Sequence, residues 1–186
     1  MGPLKKAWHF IWYDDSLLSW IVNLVLAFVI VKFIVYPGIG LLLGTQFPIV
    51  AVVSGSMEHN GMDFNSWWEE NGQWYEERGI TKTEFEDFRY TNGFNKGDIM
   101  FLKGVEAKNI KVGDVLVYET SSYSNPIIHR VVEVRNGDFI TKGDNNNKED
   151  KPVSPNQIEK TGIAVFRLPL LGWIKIWFVT VFTLRG

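Results

Sequence analysis

The sequence predicts a mainly β domain with a small α-helical insertion, behind an N-terminal transmembrane helix. Three observations carry that prediction. An apolar run of about bilayer length occupies residues 17–36. Short stretches rich in β-formers, separated by turn residues, recur between residues 97 and 166. Residues 62–92, which lie between the two, carry helix-start spacings instead of strand alternation.

The run LLSWIVNLVLAFVIVKFIVY (17–36) is apolar except for Ser19, Asn23 and Lys32. At ~1.5 Å per residue, about 20 helical residues cross a hydrocarbon core of ~30 Å. Lys32 lies near the far end, where a long side chain can snorkel. A cleavable signal peptide has a shorter apolar core, roughly 7–15 residues, followed by small residues. This run is longer and leads into bulky Phe33 and Tyr36, so it reads as a retained anchor. Lys5 and Lys6 assign residues 1–16 to the cytoplasm. Pro37-Gly38 predicts the end of the helix.

A polar domain is expected over residues 45–167, on the far side of the membrane. Its first β run, Pro48 to Val53, stops at Ser54-Gly55-Ser56-Met57. In the 62–92 insertion, Ser66-x-x-Glu69 and Thr81-x-x-Glu84 have capping-box spacing, and Gly79 sits where a helix would end. Trp67, Trp74 and Tyr75 then share one helix face, as do Phe85 and Phe88, and are expected to pack on the sheet. Strands are predicted at 97–103, 113–119, 127–134, 138–142 and 161–166. Asn136-Gly137 is a strong signal for a two-residue type I′ hairpin. The closing segment, 168–186, is greasy but interrupted by Lys175 and short for a span; it is expected to associate with the membrane, as an interfacial helix or part of a second span.

Composition excludes several classes. A length of 186 residues fits one ordinary domain with an appendage. A net charge of −2 gives no electrostatic footprint for nucleic acid. The absence of cysteine removes thiol catalysis, disulfides and Cys-type zinc sites. Eight tryptophans cluster near the two greasy ends and in 67–74, and Trp is enriched at membrane interfaces.

Why the chain leaves a strand through Ser-Gly-Ser is a chemical question. Serine and glycine make ordinary turns. They also suit a nucleophile held at a turn, with Gly55 giving room for a substrate backbone. A serine hydroxyl needs a base near neutral pH, and an imidazole, with an ordinary pKa of about 6.5, suits that task. Of His9, His59 and His129, only His129 lies inside a strand pattern. Pairing Arg135 with Asp138 across the hairpin and counting outward, without a bulge, sets His129 opposite Asp144, with Asp150 a few residues further on. A carboxylate there would fix the imidazole tautomer and stabilise its protonated form. The Ser56 backbone N–H is one candidate donor to an oxyanion; the Ser54 hydroxyl is another, or else it only stabilises the turn.

The stretches SGSMEHN, GDVLVYE, IIHRVVEV, FITKGDNNNKED and RLPLLGWIK, in that order after an N-terminal span, resemble the successive sequence boxes of type I signal peptidases. The likeness covers most of residues 17–175. It is to the archaeal and endoplasmic-reticulum branch, because His129 stands where the bacterial branch has a lysine and works as a Ser–Lys dyad. The resemblance implies a signal-peptidase-like β catalytic domain outside the membrane, Ser56 as nucleophile and His129 as general base. It puts the acidic partner at Asp150, with Asp144 as a second important carboxylate, whereas the unbulged hairpin favours Asp144. The implied substrates are secretory preproteins cut after small residues at −3 and −1, with accessory subunits open. No cofactor is implied. Glu58-His59 depart from the proline that often follows the family's Ser-Met, and the 62–92 insertion is absent from the bacterial pattern.

Two other readings remain at this level. DNNNKED places Asp144, Asn146, Lys148 and Asp150 at alternating positions like a calcium loop, but Lys148 occupies a ligand slot and Glu149 and Pro155 stand where an EF-hand needs Gly and Glu, so no metal is expected. A membrane-anchored β module that binds a partner without catalysis would make Ser56 and His129 incidental.

Overall fold

The computed structural model describes residues 2–123, 125–158, 160–174 and 176–177, in two compact units that divide between Leu42 and Leu43. In the first unit, helix α1 (Pro3–Tyr13) precedes α2 (Leu17–Ile30). Pro3 opens α1 where a missing N–H costs nothing. The polar residues of the apolar run turn back onto α1: Ser19 Oγ donates to the Phe10 carbonyl at 2.7 Å, and Asn23 Nδ2 to the Ile11 carbonyl at 2.9 Å. They satisfy carbonyls that the last turn of a helix leaves unpaired.

The helix does not stop at Pro37-Gly38. It continues through a π-helical turn (Val31–Val35) into α3 (Tyr36–Leu43), so that Leu17–Leu43 forms one apolar helix of 27 residues, long enough to cross a membrane. Proline lacks an N–H and its ring crowds the carbonyl four residues back. Directly before Pro37 the bonding shifts to five-residue spacing, with the Tyr36 N–H on the Val31 carbonyl, and the wider turn absorbs the crowding. The stop falls instead at Gly44, whose φ of +66° suits glycine.

The second unit is a six-stranded antiparallel sheet ordered β1-β2-β6-β3-β4-β5. The strands are β1 (Ile49–Ala51), β2 (Ile99–Lys103), β3 (Val115–Tyr118), β4 (Ile127–Arg135), β5 (Asp138–Lys142) and β6 (Gly162–Leu168). Asn136 and Gly137 have φ of +53° and +87°, as a type I′ turn requires, and Arg135 pairs with Asp138. The unbulged count then fails. Glu133 faces Ile140, but the next pair is Val131 with Thr141, so Val132 is an extra residue on β4. Past this bulge Arg130 pairs with Lys142. A one-residue slip moves side chains to the other face of a sheet. Asp144, counted on from Lys142, therefore falls in with Arg130 and not with His129.

The two faces of this sheet region have separate cores. Tyr118 pairs with Ile127, Leu116 with His129 and Val131 with Thr141, and this face packs with Phe139, Val153 and Ile158. The opposite alternation carries Ile128, Arg130, Val132, Ile140 and Lys142. There the insertion docks: Phe64, Trp67, Trp68, Tyr75 and Phe85 pack with Val132 and Ile140. Its helices are α4 (Phe64–Glu76) and α5 (Lys82–Glu86). Thr81 caps α5 as its spacing predicts, but the cap of α4 lies three residues before Ser66: it is Asp63, accepting the Ser66 N–H at 3.0 Å. The earlier start adds Phe64 and Trp68 to the buried face, while Trp74 is half-buried under the Arg78 guanidinium. Lys175 and residues 178–186 of the closing segment lie outside the described residues.

Candidate active site

The serine loop leaves β1 and is anchored on both sides of Ser56. Met57 is buried in the core, and its carbonyl accepts the Phe94 N–H at 3.0 Å. The Ser56 carbonyl accepts the Asn145 N–H at 2.8 Å, and the Gly55 carbonyl accepts Asn145 Nδ2 at 3.1 Å. The turn after β5 therefore grips the loop by its backbone. Gly143 makes this approach possible: a Cβ there would lie 2.6 Å from the Ser56 carbonyl oxygen. The space expected beside Gly55 for a substrate is instead filled by Glu58, whose carboxylate would stand 2.9 Å from a Cβ at that position and accepts the Lys96 N–H.

Held this way, Ser56 Oγ lies 2.9 Å from His129 Nε2, and His129 Nδ1 lies 2.6 Å from Asp150 Oδ2. An ionised carboxylate only accepts, so Nδ1 carries the proton and Nε2 offers its lone pair to the Ser56 hydroxyl. Burial pushes the Asp150 carboxyl up, but the hydrogen bond and charge of His129, with the Thr141 hydroxyl, outweigh it and hold Asp150 below the usual carboxylate range. The Ser54 hydroxyl lies 3.1 Å from Ser56 Oγ. The arrangement can draw a proton from Ser56 and stabilise the resulting imidazolium, which is the chemistry of a serine nucleophile.

Asp144 belongs to a second cluster. It is fully buried and takes a two-pronged bond from Arg130, Nε at 2.9 Å and a terminal nitrogen at 2.7 Å. His59 Nε2 approaches it at 3.2 Å and the Tyr75 hydroxyl donates at 3.4 Å. Burial raises this carboxyl, but the Arg130 charge and the His59 and Arg130 hydrogen bonds prevail and keep it well below the usual range. Arg130 also donates to the carbonyls of Arg89, Tyr90 and Gly113, so it ties the end of the insertion to the sheet. His59 is stacked on Trp67 at 4.0 Å between ring centres. Lys142 donates to the Tyr75 hydroxyl and to the carbonyls of Gly143 and Asp144, and burial lowers its amine to about 8. Arg130, His59 and Lys142 had drawn no role from the sequence. The one signal for Arg130 is a charge inside the apolar strand IIHRVV. Asp144 and Asp150 thus straddle β4, one meeting Arg130 and the other His129.

A mainly β domain with a serine, an imidazole and a carboxylate hydrogen-bonded in series defines a serine-hydrolase type of architecture. No family model matches the chain. It is 30% identical over 153 residues to the signal peptidase complex catalytic subunit SEC11C of Homo sapiens, covering 76% of this chain and 62% of that protein. It is 32% identical over 155 residues to the SEC11 subunit of Scheffersomyces stipitis, covering 77% and 73%. The SEC11 subunit of Lachancea thermotolerans is 31% identical over 158 residues, covering 78% and 74%. The chain spans about three-fifths of the length of the SEC11C relative, and more of the yeast proteins. It belongs to the type I signal peptidases, in the branch of the SEC11 catalytic subunits.

Proposed function

We propose that the protein is a membrane-bound serine endopeptidase that removes signal peptides from secretory preproteins. The observation that carries this reading is the hydrogen-bonded series from Ser56 Oγ through His129 to Asp150. Ser56 Oγ attacks the scissile carbonyl carbon while its proton passes to His129 Nε2, and Asp150 stabilises the imidazolium. The carbonyl electrons move onto oxygen, where the Ser56 N–H and a rotated Ser54 hydroxyl are its donors, a good donor being worth about 3–4 kcal/mol. Collapse expels the mature protein's amine, which takes the proton from His129. Water activated by the same imidazole then releases the signal peptide from Ser56.

The apolar helix Leu17–Leu43 anchors the enzyme, residues before it lie in the cytoplasm, and the catalytic domain lies on the outer or lumenal side. Phe166, Leu170, Leu171, Trp173 and Ile174 are exposed, and this apolar run supports contact of the closing segment with lipid. Anchoring raises the effective concentration of a substrate held in the same bilayer. Cleavage follows small residues at −3 and −1. The relatives are named as subunits of a complex, so accessory subunits are partners to be sought. An archaeal source rests on the sequence resemblance alone, the named relatives being human and yeast.

The deciding experiment is cleavage of a preprotein by detergent-solubilised protein and its Ser56→Ala variant. Cleavage should be abolished to at least ~10³-fold below the parent while the variant still melts cooperatively. Unchanged cleavage would remove Ser56 from the chemistry, and no cleavage by the parent would leave a non-catalytic, partner-binding module.

A further inference from the structure

Asp150 is itself held. Its Oδ2, the oxygen bonded to His129, also lies 2.8 Å from Thr141 Oγ1, and Thr141 Oγ1 lies 3.1 Å from the Tyr118 hydroxyl. Thr141 and Tyr118 are almost completely buried. Thr141 has one hydroxyl proton, and the carboxylate can only accept it. The Thr141 lone pair is then left for the Tyr118 proton, so the chain of donors runs Tyr118 to Thr141 to Asp150. The Asp150 N–H also donates to the Thr141 carbonyl at 2.8 Å. The pairings of β3 with β4 and of β4 with β5 put Tyr118, His129 and Thr141 on one face, so the sheet itself aligns the series.

We propose that Thr141, backed by Tyr118, is a positioning residue for the catalytic carboxylate: it fixes the orientation of Asp150 and shares its negative charge, and so sets the basicity of His129. The inference rests on the protease reading above. Two consequences are separable. Without the Thr141 hydroxyl, Asp150 keeps its bond to Nδ1 but over a broader range of orientations, so the imidazole is aimed less well at Ser56 and the rate falls. The charge it no longer shares binds the imidazolium more strongly, so His129 keeps its proton to higher pH. Other charges reach this series. Lys142, on the opposite face beside Asp144, also acts on Asp150, and Tyr123 acts on Tyr118. Arg130 carries its charge on the opposite face, paired with Asp144. All three stay in place in the variants below and are common to parent and variant. In the serine loop, Glu58 is bonded to the Lys96 N–H and His59 to Asp144.

The test compares the full-length parent in detergent with Thr141→Val, Thr141→Ser, Tyr118→Phe and Ser56→Ala. Readouts are the pH profile of kcat/KM for a preprotein and the titration of the His129 ring followed by NMR. Thr141→Val should lower kcat about 10-fold, with little change in KM, and move both the acid limb and the ring titration upward by ~0.5–1 pH unit. Thr141→Ser should restore both, and Tyr118→Phe should move both by less in the same direction. A purely structural role would lower the melting temperature and leave the limb and the titration where they are; that result overturns the proposal. If Thr141→Val does not fold, Tyr118→Phe alone decides, because an unmoved ring titration in that folded variant contradicts the series. Failure of the protease reading looks different: Ser56→Ala would then cleave like the parent.

Discussion

His129 and Arg130 are neighbours in sequence with opposite surroundings. One faces Asp150 and a serine at the surface; the other faces Asp144 in a sealed, charged cluster. Replacing each carboxylate by its amide should separate the two. Asp150→Asn leaves a neutral amide at Nδ1 that can also present N–H, which favours the wrong tautomer. Its cleavage rate should fall by orders of magnitude with a modest change in melting temperature. Asp144→Asn strips a fully buried guanidinium of its counter-charge, which costs about 3–5 kcal/mol. It should melt at much lower temperature, and lose activity mainly through loss of folded protein. Equal melting temperatures for the two variants would contradict the assignment. Gly143→Ala addresses the serine loop directly. Its methyl carbon would meet the Ser56 backbone carbonyl oxygen at 2.6 Å, so Ser56 must shift. A cleavage rate at least ~10²-fold lower is expected, with the fold retained by circular dichroism. Ser56, His129 and both carboxylates could be picked out from sequence as residue types in boxes. Which carboxylate meets the histidine is implied only by the resemblance, which points to Asp150; the hairpin count favours Asp144, because the true register depends on one extra residue, Val132, and nothing in IIHRVVEVR marks where a bulge sits.

At the level of elements, legibility followed the strength of local chemistry. Asn136-Gly137 can hardly do other than turn, and the alternation around it sets strands β4 and β5. Pro37 misled because proline usually ends helices. Its effect was absorbed by a π turn, which has no residue signature of its own. For α4 the spacing points to Ser66 as the cap, whereas the helix is capped by Asp63. Packing decided: a start at Phe64 brings Phe64, Trp67, Trp68 and Tyr75 onto Val132 and Ile140. The two caps can be told apart by melting. Asp63→Ala removes the acceptor for the Ser66 N–H and should lower the melting temperature further than Ser66→Ala does. Ser66→Ala, inside the first turn, should cost no more than about 0.5 kcal/mol. The reverse order would mean that α4 begins at Ser66 in solution. The insertion also matters to the site, since Trp67 stacks on His59 and Tyr75 donates to Asp144. It supports the turn that grips the Ser56 carbonyl from behind the sheet.

Across the whole second unit, burial of these charges makes stability depend on pH at both ends. Asp144 releases its proton more readily when folded than when unfolded, so its contribution is full above the unfolded value, near pH ~4, and is lost as pH falls through the lower folded value. Lys142 acts in the opposite sense to a paired lysine. Burial lowers its folded pKa to about 8, against ~10.4 for an unfolded lysine. Below both values the native state must bury an ammonium, which is unfavourable. Between about pH 8 and ~10 the folded amine has lost its proton while the unfolded one still holds it, so stability rises with pH. Above ~10 the trend reverses through Tyr75. Its hydroxyl is held well above the ordinary value by burial and then by the Asp144 charge, so the unfolded phenol ionises first. Melting temperature in detergent should therefore climb from pH 7.5 to 9.5 in the parent and fall beyond. In Lys142→Met, a side chain of similar length without the amine, the climb should disappear while the fall remains. A Lys142→Met curve that climbs as steeply as the parent's would show that the buried amine is not its source.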